Sequence, residues 1–216
     1  EKALGRGALA AEYQSAADKL KSTVLATDWD AARGLFADQP SHRTYSQQTN
    51  TLAVLARVQD RRQNGSIMQR VLTDATLAQS SIYFRAYTNA ALREAGMGDK
   101  YLGSLGPWRE MLKQGLTTWA EWNGPDARSD CHAWGASPNF ELFRTVAGIE
   151  PMAPGFSRVR VAPHLGDLKH LTAHMPHPKG EIQVVLAHEN PRRLSGDVTL
   201  PPGVTGVLEW GDVSQP

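Results

Sequence analysis

The periodicity of the apolar residues changes once along this 216-residue chain, close to Gly148. Before that glycine, apolar residues recur at the spacing of a helix face, as in Leu52, Leu55 and Val58. After it, apolar and polar residues alternate, as they do over residues 158–161, which is typical of strands. This change predicts an α+β multidomain protein, with a helical domain over residues 1–152 and a small antiparallel β-sandwich over residues 153–216.

The two patterns also predict individual elements. Helical spacing and turn residues indicate about six helices, one of them beginning at Ser46 and the others near residues 8–25, 66–77, 82–92, 99–112 and 138–147. Alternation indicates four strands, at residues 158–161, 180–186, 196–200 and 204–210. Consecutive helices with short connections pack as antiparallel hairpins, so the first domain is expected to consist of helix pairs.

Composition excludes several function classes. The chain has 23 basic and 22 acidic side chains, so it lacks the positive field that nucleic acid or an anionic membrane surface would attract. No apolar run is long enough for a membrane span. The single cysteine, Cys131, excludes an internal disulfide but says little about the compartment. A neutral glycan is therefore a more natural partner than a phosphate or a nucleic acid.

The residues that indicate chemistry are concentrated between Gly115 and Pro138. This stretch is rich in glycine, proline and asparagine, which argues against a helix, and it holds the following indoles and polar groups: Trp119, Glu121, Trp122, Asp130, His132 and Trp134. Indole faces stack on sugar rings, while a carboxylate and an imidazole transfer protons and direct hydrogen bonds. Each residue alone is more often a core or surface group, but a loop that combines them favours a sugar site.

Three longer motifs give this loop a family context. The sequences TTWAEW, RSDCHAWGASPNFELFRTVAGI and PGFSRVRVAPHLG resemble the C-terminal part of bacterial α-L-rhamnosidases of the six-hairpin type. The resemblance covers most of the chain and includes the helix start at Ser46 and the residues 82–85 and 176–180. It implies that the helices form about half of an (α/α) six-hairpin toroid, followed by the β-sandwich.

The resemblance also implies roles for individual residues. The glutamate of the Thr-Thr-x-x-Glu motif is Glu121, which corresponds to the general base of the family, and His132 corresponds to a histidine that contacts the sugar. We expect the three indoles of the loop to stack on the sugar, with Asp130 as a hydroxyl acceptor or as a partner that fixes the tautomer of His132. No cofactor or metal is expected.

One part of the family pattern is missing. The general-acid glutamate of these enzymes lies upstream in an Asp-Glu-Arg-x-Gly-Trp type motif, and this sequence contains no such motif. Together with the start at Glu1, which follows no initiator methionine or signal peptide, this suggests a piece of a larger protein. We expect the chain alone to be inactive and its open helix faces to be covered by a missing N-terminal half or by dimerisation. A periplasmic or extracellular location is favoured over a cytoplasmic one.

The sequence therefore predicts an inverting glycoside hydrolase that removes terminal α-L-rhamnose from glycans or glycosides. The alternative is a non-catalytic carbohydrate-binding or scaffold protein that keeps the fold and has lost the acid. An acidic Asp-Glu-Arg motif encoded upstream would distinguish the two.

Other polar groups have simpler interpretations. A group of four histidines, His164, His170, His174 and His177, lacks the cysteines or repeated carboxylates of a metal site. Strand alternation places His170 and His174 on one face and His177 on the other. The amides of Gln47, Gln48 and Asn50 are equally compatible with sugar contacts and with capping or surface positions. Ser137 precedes a proline at a predicted helix start, which favours an N-cap role for its hydroxyl over that of a nucleophile.

Overall fold

A computed structural model describes residues 1–190, 193–211 and 213–215 of the chain. The chain divides into two compact units, Glu1–Met97 and Gly98–Pro216. The first unit is mainly helical, and the second combines short helices with most of the strands. The predicted domain division between residues 152 and 153 lies inside the second unit and remains a prediction about the domains.

The first unit contains four α-helices and one short hairpin. In chain order these elements are α1 (Gly7–Asp28), β1 (Trp29–Asp30), β2 (Leu35–Phe36), α2 (Gln47–Leu55), α3 (Arg61–Thr73) and α4 (Arg85–Glu94). Two helix starts follow directly from the sequence, because Ser46 accepts a hydrogen bond from the backbone N–H of Thr49 and Asp60 accepts one from that of Gln63. The core of this unit lies between α2, α3, α4 and the hairpin, with Phe36, Val54, Ile67 and Leu92 fully buried in it.

Two of the predicted helices in this unit have different bounds. The helix expected from residue 66 begins at Arg61, since Asp60 provides the N-cap that the prediction overlooked. Residues 82–84 precede α4 in a turn, and Ile82 is buried there. Apolar residues at helical spacing therefore indicated helices without marking where each helix starts, and they did not always indicate burial, since Leu52 is 50% exposed and Tyr83 is 45% exposed.

The second unit begins with short helical segments where one helix was expected over residues 99–112. Single 3₁₀ turns span Gly98–Lys100 and Leu102–Leu105, and α5 covers only Gly106–Lys113. Pro107 lies in the first turn of α5, a position that tolerates its missing N–H, whereas a continuous helix would place it in the interior and break a hydrogen bond. The single helix expected over residues 99–112 is therefore wrong, and the reason is Pro107, which the spacing of the apolar residues does not reveal.

A long irregular segment follows α5 and leads to α6 (Ser137–Glu141), which continues as a π-helical turn over Leu142–Val146. Ser137 is the first residue of α6 rather than its N-cap, which is Ala136. The Ser137 hydroxyl is buried and has no hydrogen-bond partner in the described chain, so the capping role predicted for it is wrong. Because Pro138 occupies the first turn, one N–H that a cap would serve does not exist.

In the described part of the second unit, seven strands follow in two sheets. They are β3 (Ile149–Pro151), β4 (Arg158–Val161), β5 (His170–His177), β6 (Gly180–Asn190), β7 (Arg193–Thr199), β8 (Thr205–Trp210) and β9 (Val213–Gln215). One sheet has the order β3-β4-β8-β9 and the other β5-β6-β7. Buried residues of both sheets, including Val159 and Val184, belong to one apolar cluster.

The expectation of a purely antiparallel domain is wrong in one pairing. Strands β4 and β8 are parallel, with Arg158 opposite Thr205 and Val161 opposite Leu208. A parallel pair needs a long crossover connection, and here the whole β5-β6-β7 sheet lies between the two strands in sequence. Local alternation identifies strands but carries no information about the direction of their partners.

None of the helices in the described part of the chain is both long enough and apolar enough to cross a membrane.

Candidate functional site

The segment between α5 and α6 is held in place by backbone hydrogen bonds between its two ends. The N–H of Glu121 donates to the carbonyl of Ser129 at 2.9 Å, and the N–H of His132 donates to the carbonyl of Trp119 at 2.8 Å. The hydroxyl of Thr118 donates to the carbonyl of Asp130. Residues 118–121 and 129–132 therefore run beside each other, which brings the predicted base and the predicted sugar-contacting histidine into one loop.

A buried indole fixes this loop to α5. The Nε1–H of Trp108, a residue only 3% exposed, donates to the carbonyl of Gly135 at 2.7 Å. Gly135 packs so closely that an added Cβ would lie 2.9 Å from the carbonyl oxygen of Ala120 and from the Cβ of Trp119. Only glycine allows this approach, and it places the chain after His132 directly against the chain before Glu121.

The carboxylate of Glu121 forms a two-pronged ion pair with Arg128. The Nη2 and Nε atoms of Arg128 lie 2.6 and 3.0 Å from the two carboxylate oxygens. The side chain of Glu121 is 21% exposed and that of Arg128 is 77% exposed. The guanidinium therefore lies on the solvent side of the carboxylate and orients it, while each oxygen keeps a second lone pair for a further hydrogen bond.

His132 and Trp134 form the aromatic part of the site. Their ring centroids are 4.1 Å apart with an angle of 45° between the planes. The imidazole is half-buried, whereas Trp134 is 41% exposed. An indole that stays exposed beside an imidazole offers an apolar face and a directed hydrogen-bonding group to the same ligand.

The other two indoles of the loop have different environments. Trp119 is half-buried and packs its Cβ against Gly135. Trp122 is 43% exposed, and its ring lies over Gly124, where an added Cβ would fall within 2.0 Å of a ring carbon. Trp122 is thus folded back on its own loop, and Trp134 is the indole that the structure places against His132.

Asp130 is exposed, and its carboxylate makes no hydrogen bond to His132 in the described chain. The structure therefore gives no support to the idea that Asp130 fixes the tautomer of His132. Its contribution to the loop is its carbonyl group, which accepts the hydrogen bond from Thr118. The role of its side chain in contacting a sugar hydroxyl stays a prediction.

The four clustered histidines lie in separate surroundings. His174 faces Glu181 at 3.0 Å, His164 lies 3.8 Å from Asp99, and His177 is buried with its ring between the carbonyl of Phe156 and the N–H of Lys179. In the described residues, no group of three His, Cys, Asp or Glu side chains is arranged to hold a metal ion.

The polar residues at the start of α2 serve the core of the first unit. The amide of Asn50, a fully buried side chain, accepts from the N–H of Phe36 at 2.8 Å and donates to the carbonyl of the same residue at 3.0 Å. Gln47 is also buried and binds the carbonyl of Val71 and the N–H of Ser80. Sugar contact and a surface or capping position were the two interpretations of these residues. Both are wrong, because the two amides form hydrogen bonds with backbone groups inside the protein.

Two charged side chains with specific partners were missed in the sequence. Arg128 looked like an ordinary loop charge, since nothing in its spacing shows that it reaches Glu121 across seven residues. Glu141 is only 3% exposed, and it accepts a hydrogen bond from Thr145 and lies 3.7 Å from Arg144. A carboxylate on the buried face of a short helix is a signal that could have been noticed, because buried acids need partners.

Arg144 extends this contact into a chain of alternating charges. Arg144 lies 3.3 Å from Glu150, Glu150 lies 3.3 Å from Arg160, and Arg160 lies 2.6 Å from Glu209. The hydrogen bond from Arg160 lowers the pKa of Glu209. These contacts tie the segment after His132 and Trp134 to the strands β3, β4 and β8, all within the second unit.

Part of the second unit is similar to a known protein family. Residues 148–210 match the family described as the bacterial α-L-rhamnosidase C-terminal domain. The match begins at the glycine where the periodicity changes and ends with β8. Among curated proteins, none gives a significant match to the chain.

Solved structures of rhamnosidases resemble a larger part of the chain. The GH78 family rhamnosidase of Bacillus sp. GL1 is 27% identical over 88% of this chain and 23% of its own, with a TM-score of 0.71. The rhamnosidase from Klebsiella oxytoca with rhamnose bound is 25% identical over 63% of this chain and 29% of its own, with a TM-score of 0.57.

The α-L-rhamnosidase of Dictyoglomus thermophilum has the same fold over 96% of this chain, with a TM-score of 0.78 and 22% identity. This chain covers 24% of that enzyme. The chain therefore spans about a quarter of the length of the rhamnosidases that it matches.

Proposed function

We propose that this chain, whose residues 148–210 belong to the bacterial α-L-rhamnosidase C-terminal domain family, forms part of a glycoside hydrolase that acts on terminal α-L-rhamnosides. The observation that carries the proposal is the similarity to the Bacillus rhamnosidase, at 27% identity over 88% of the chain. We propose rhamnose as the sugar because the similar solved structures are rhamnosidases.

In this proposal Glu121 is the general base. Its carboxylate is oriented by Arg128 and remains partly open to solvent, so it can accept a proton from a water molecule. His132 would donate or accept a hydrogen bond at a sugar hydroxyl, and the exposed Trp134 would cover an apolar face of the ring. Trp119, Trp122 and Asp130 would complete the rim of the site.

The reaction is proposed to invert the anomeric centre. An inverting hydrolase needs a second carboxyl group, about 6.5–9.5 Å from the first, to protonate the leaving oxygen. No second catalytic motif is present in this sequence, so we propose that the acid lies in sequence encoded before Glu1. The same proposal makes the helices a part of an (α/α) six-hairpin toroid and residues 153–216 the β-sandwich that follows it.

The experiment that tests the proposal replaces Glu121 in the enzyme that contains this chain together with its upstream sequence. Glu121→Gln should lower turnover of an aryl α-L-rhamnoside by about a hundredfold or more, while the affinity for L-rhamnose changes little. Glutamine keeps the shape of the side chain and cannot take up the proton. Steady-state kinetics and a binding titration on the same preparation separate the two effects.

Glu110→Gln serves as the matched control, because Glu110 is an exposed glutamate of α5 whose contact is an ion pair with Lys113 at 3.3 Å. That variant should keep normal turnover. The isolated 216-residue chain should not hydrolyse the substrate. Near-normal turnover of Glu121→Gln would remove this residue from the mechanism, and turnover by the isolated chain would mean that it contains its own acid.

A further inference from the structure

A second groove lies on the second unit, outside the loop that carries Glu121. It has a volume of about 760 Å³, and its polar and aromatic walls include Asp99, Lys100, Arg109, Asp167, His188 and Trp210. No residue between Gly115 and Ala136 lines it. Its size is within the range of about 300–1,000 Å³ that is typical of sites for small ligands.

The walls of this groove are held in position by close contacts within the protein. An added Cβ at Gly98 would lie 2.4 Å from the ring of His164, and one at Gly166 would lie 2.9 Å from the carbonyl oxygen of Asp99. Gly166 has a φ of +53°, and its N–H donates to the carboxylate of Asp99 at 3.1 Å. The segment at residues 98–99 is therefore fixed against residues 164–166.

The wall is also anchored in a small core. Tyr101, two residues after Asp99, is fully buried in a cluster with Val146 and Leu165. Burial raises the pKa of its hydroxyl, so the group stays protonated. A groove with walls held in this way loses little conformational entropy when a ligand binds.

Among the described residues that line the groove, the carboxylates and the cations of Asp, Lys and Arg side chains balance. Asp99 and Asp167 supply two carboxylates, and Lys100 and Arg109 supply two cations, all on exposed residues. The imidazole of His164, 3.8 Å away, lowers the pKa of Asp99, which keeps this carboxylate ionised and able to accept hydrogen bonds. Cations that donate and carboxylates that accept, present in equal numbers, suit a ligand that has many hydroxyl groups and no charge of its own.

An aromatic pair completes the lining. The rings of His188 and Trp210 lie 5.4 Å apart in an edge-to-face arrangement. The Nδ1 atom of His188 lies 3.3 Å from the carbonyl of Leu168, and within the described residues its Nε2 atom is buried without a hydrogen-bond partner. The indole adds an apolar surface to a groove that is otherwise polar, which is the combination that sugar rings require.

We propose that this groove is a second carbohydrate-binding site, which takes a neutral saccharide and holds a glycan away from the loop of Glu121. The proposal rests on the proposed function only for the choice of sugar, since the groove's own residues point to a polyhydroxylated neutral ligand. It adds a binding site without a role in bond cleavage.

The test is a calorimetric titration of the 216-residue chain with a disaccharide that ends in α-L-rhamnose. It is made in the His132→Ala background, which weakens the proposed active site. Asp167→Ala combined with Arg109→Ala removes two exposed groove side chains and should weaken saccharide binding about tenfold. Trp210→Phe, which keeps an aromatic ring, should weaken it less, and thermal melts establish that each variant folds.

Asp197→Ala is the matched control, because Asp197 is an exposed aspartate of β7 that does not line the groove. It should leave binding unchanged. Absence of saccharide binding in the His132→Ala background overturns the proposal, as does binding that the double variant does not affect. Binding of inorganic phosphate in place of the saccharide overturns it too, since it would identify an anion site.

The proposed function can fail separately. Turnover of an aryl α-L-rhamnoside by the enzyme that contains this chain depends on Glu121 and should not change in the groove variants. If the groove binds no saccharide but turnover still depends on Glu121, the hydrolase proposal stands. If the groove binds saccharide but turnover does not depend on Glu121, the groove proposal stands.

Discussion

Two groups of residues in this protein, both considered for sugar contact, have opposite surroundings. The group at the start of α2 is buried, and its amides satisfy backbone groups of the first unit. The group in the loop around Glu121 is partly exposed and leaves side-chain hydrogen-bonding capacity and indole surface open. Residue type made both groups candidates for a sugar site. The comparison teaches that burial and partners, rather than residue type, distinguish a structural amide from a binding group.

The largest effect that sharpens this comparison is expected at Asn50. Asn50→Ala leaves both the N–H and the carbonyl of Phe36 without partners in the core, which should lower the free energy of unfolding by roughly 2–4 kcal/mol. Urea unfolding measures it. Gln69→Ala, at an exposed amide of α3, should have little effect. Unchanged stability with weakened sugar binding would reverse the assignment of Asn50.

A smaller effect, on ligand binding and not on stability, is expected at His132 and Trp134. His132→Ala and Trp134→Ala should each weaken binding of a rhamnoside by roughly 1–3 kcal/mol while the protein stays folded. Titration calorimetry and a thermal melt on the same samples provide the measurement. If Trp134 were instead a core residue, its removal would cost about 3–5 kcal/mol of stability and leave the affinity unchanged.

The smallest effect concerns the pH dependence of the first unit. Burial raises the pKa of Asp38, but hydrogen bonds from the hydroxyls of Ser46 and Thr49 outweigh it, so the pKa lies below its ordinary value of 3.8. A carboxyl with a lowered folded pKa contributes stability above the unfolded pKa and loses it as the pH falls through the folded value.

At neutral pH the native protein should therefore have a higher free energy of unfolding than Asp38→Asn. The difference, measured by urea unfolding, should shrink as the pH falls below 3.8. Arg128→Gln, which breaks an exposed ion pair in the loop, should change the free energy of unfolding little at any pH. An advantage of the native Asp38 that is independent of pH would show that its hydrogen bonds, and not its ionisation, matter.

Several features could be predicted because they depend on neighbours in the sequence. The change from helix to strand near Gly148, the N-cap at Ser46 and the strands at residues 158–161 and 205–210 follow from local spacing and local capping. The loop between Gly115 and Pro138 could be recognised because its glycines and prolines exclude a long helix. The resemblance to rhamnosidases was readable for the same reason, since its motifs are short continuous stretches.

Other features depend on residues that meet only in the folded chain. The parallel pairing of β4 with β8, the contact of Arg128 with Glu121 and the burial of Asn50 against Phe36 are all of this kind. The groove beside Asp99 joins residues from opposite ends of the second unit. No local pattern encodes these contacts.

The sequence by itself determined the change from helices to strands and the candidate residues for sugar chemistry, because propensity, capping and side-chain type act over a few positions. Only the tertiary structure decided which polar groups are buried and which remain open, because hydrogen-bond partners and solvent access depend on contacts between distant segments. That is why Gln47 and Asn50 belong to the core, while Glu121, His132 and Trp134 remain the candidates for the site.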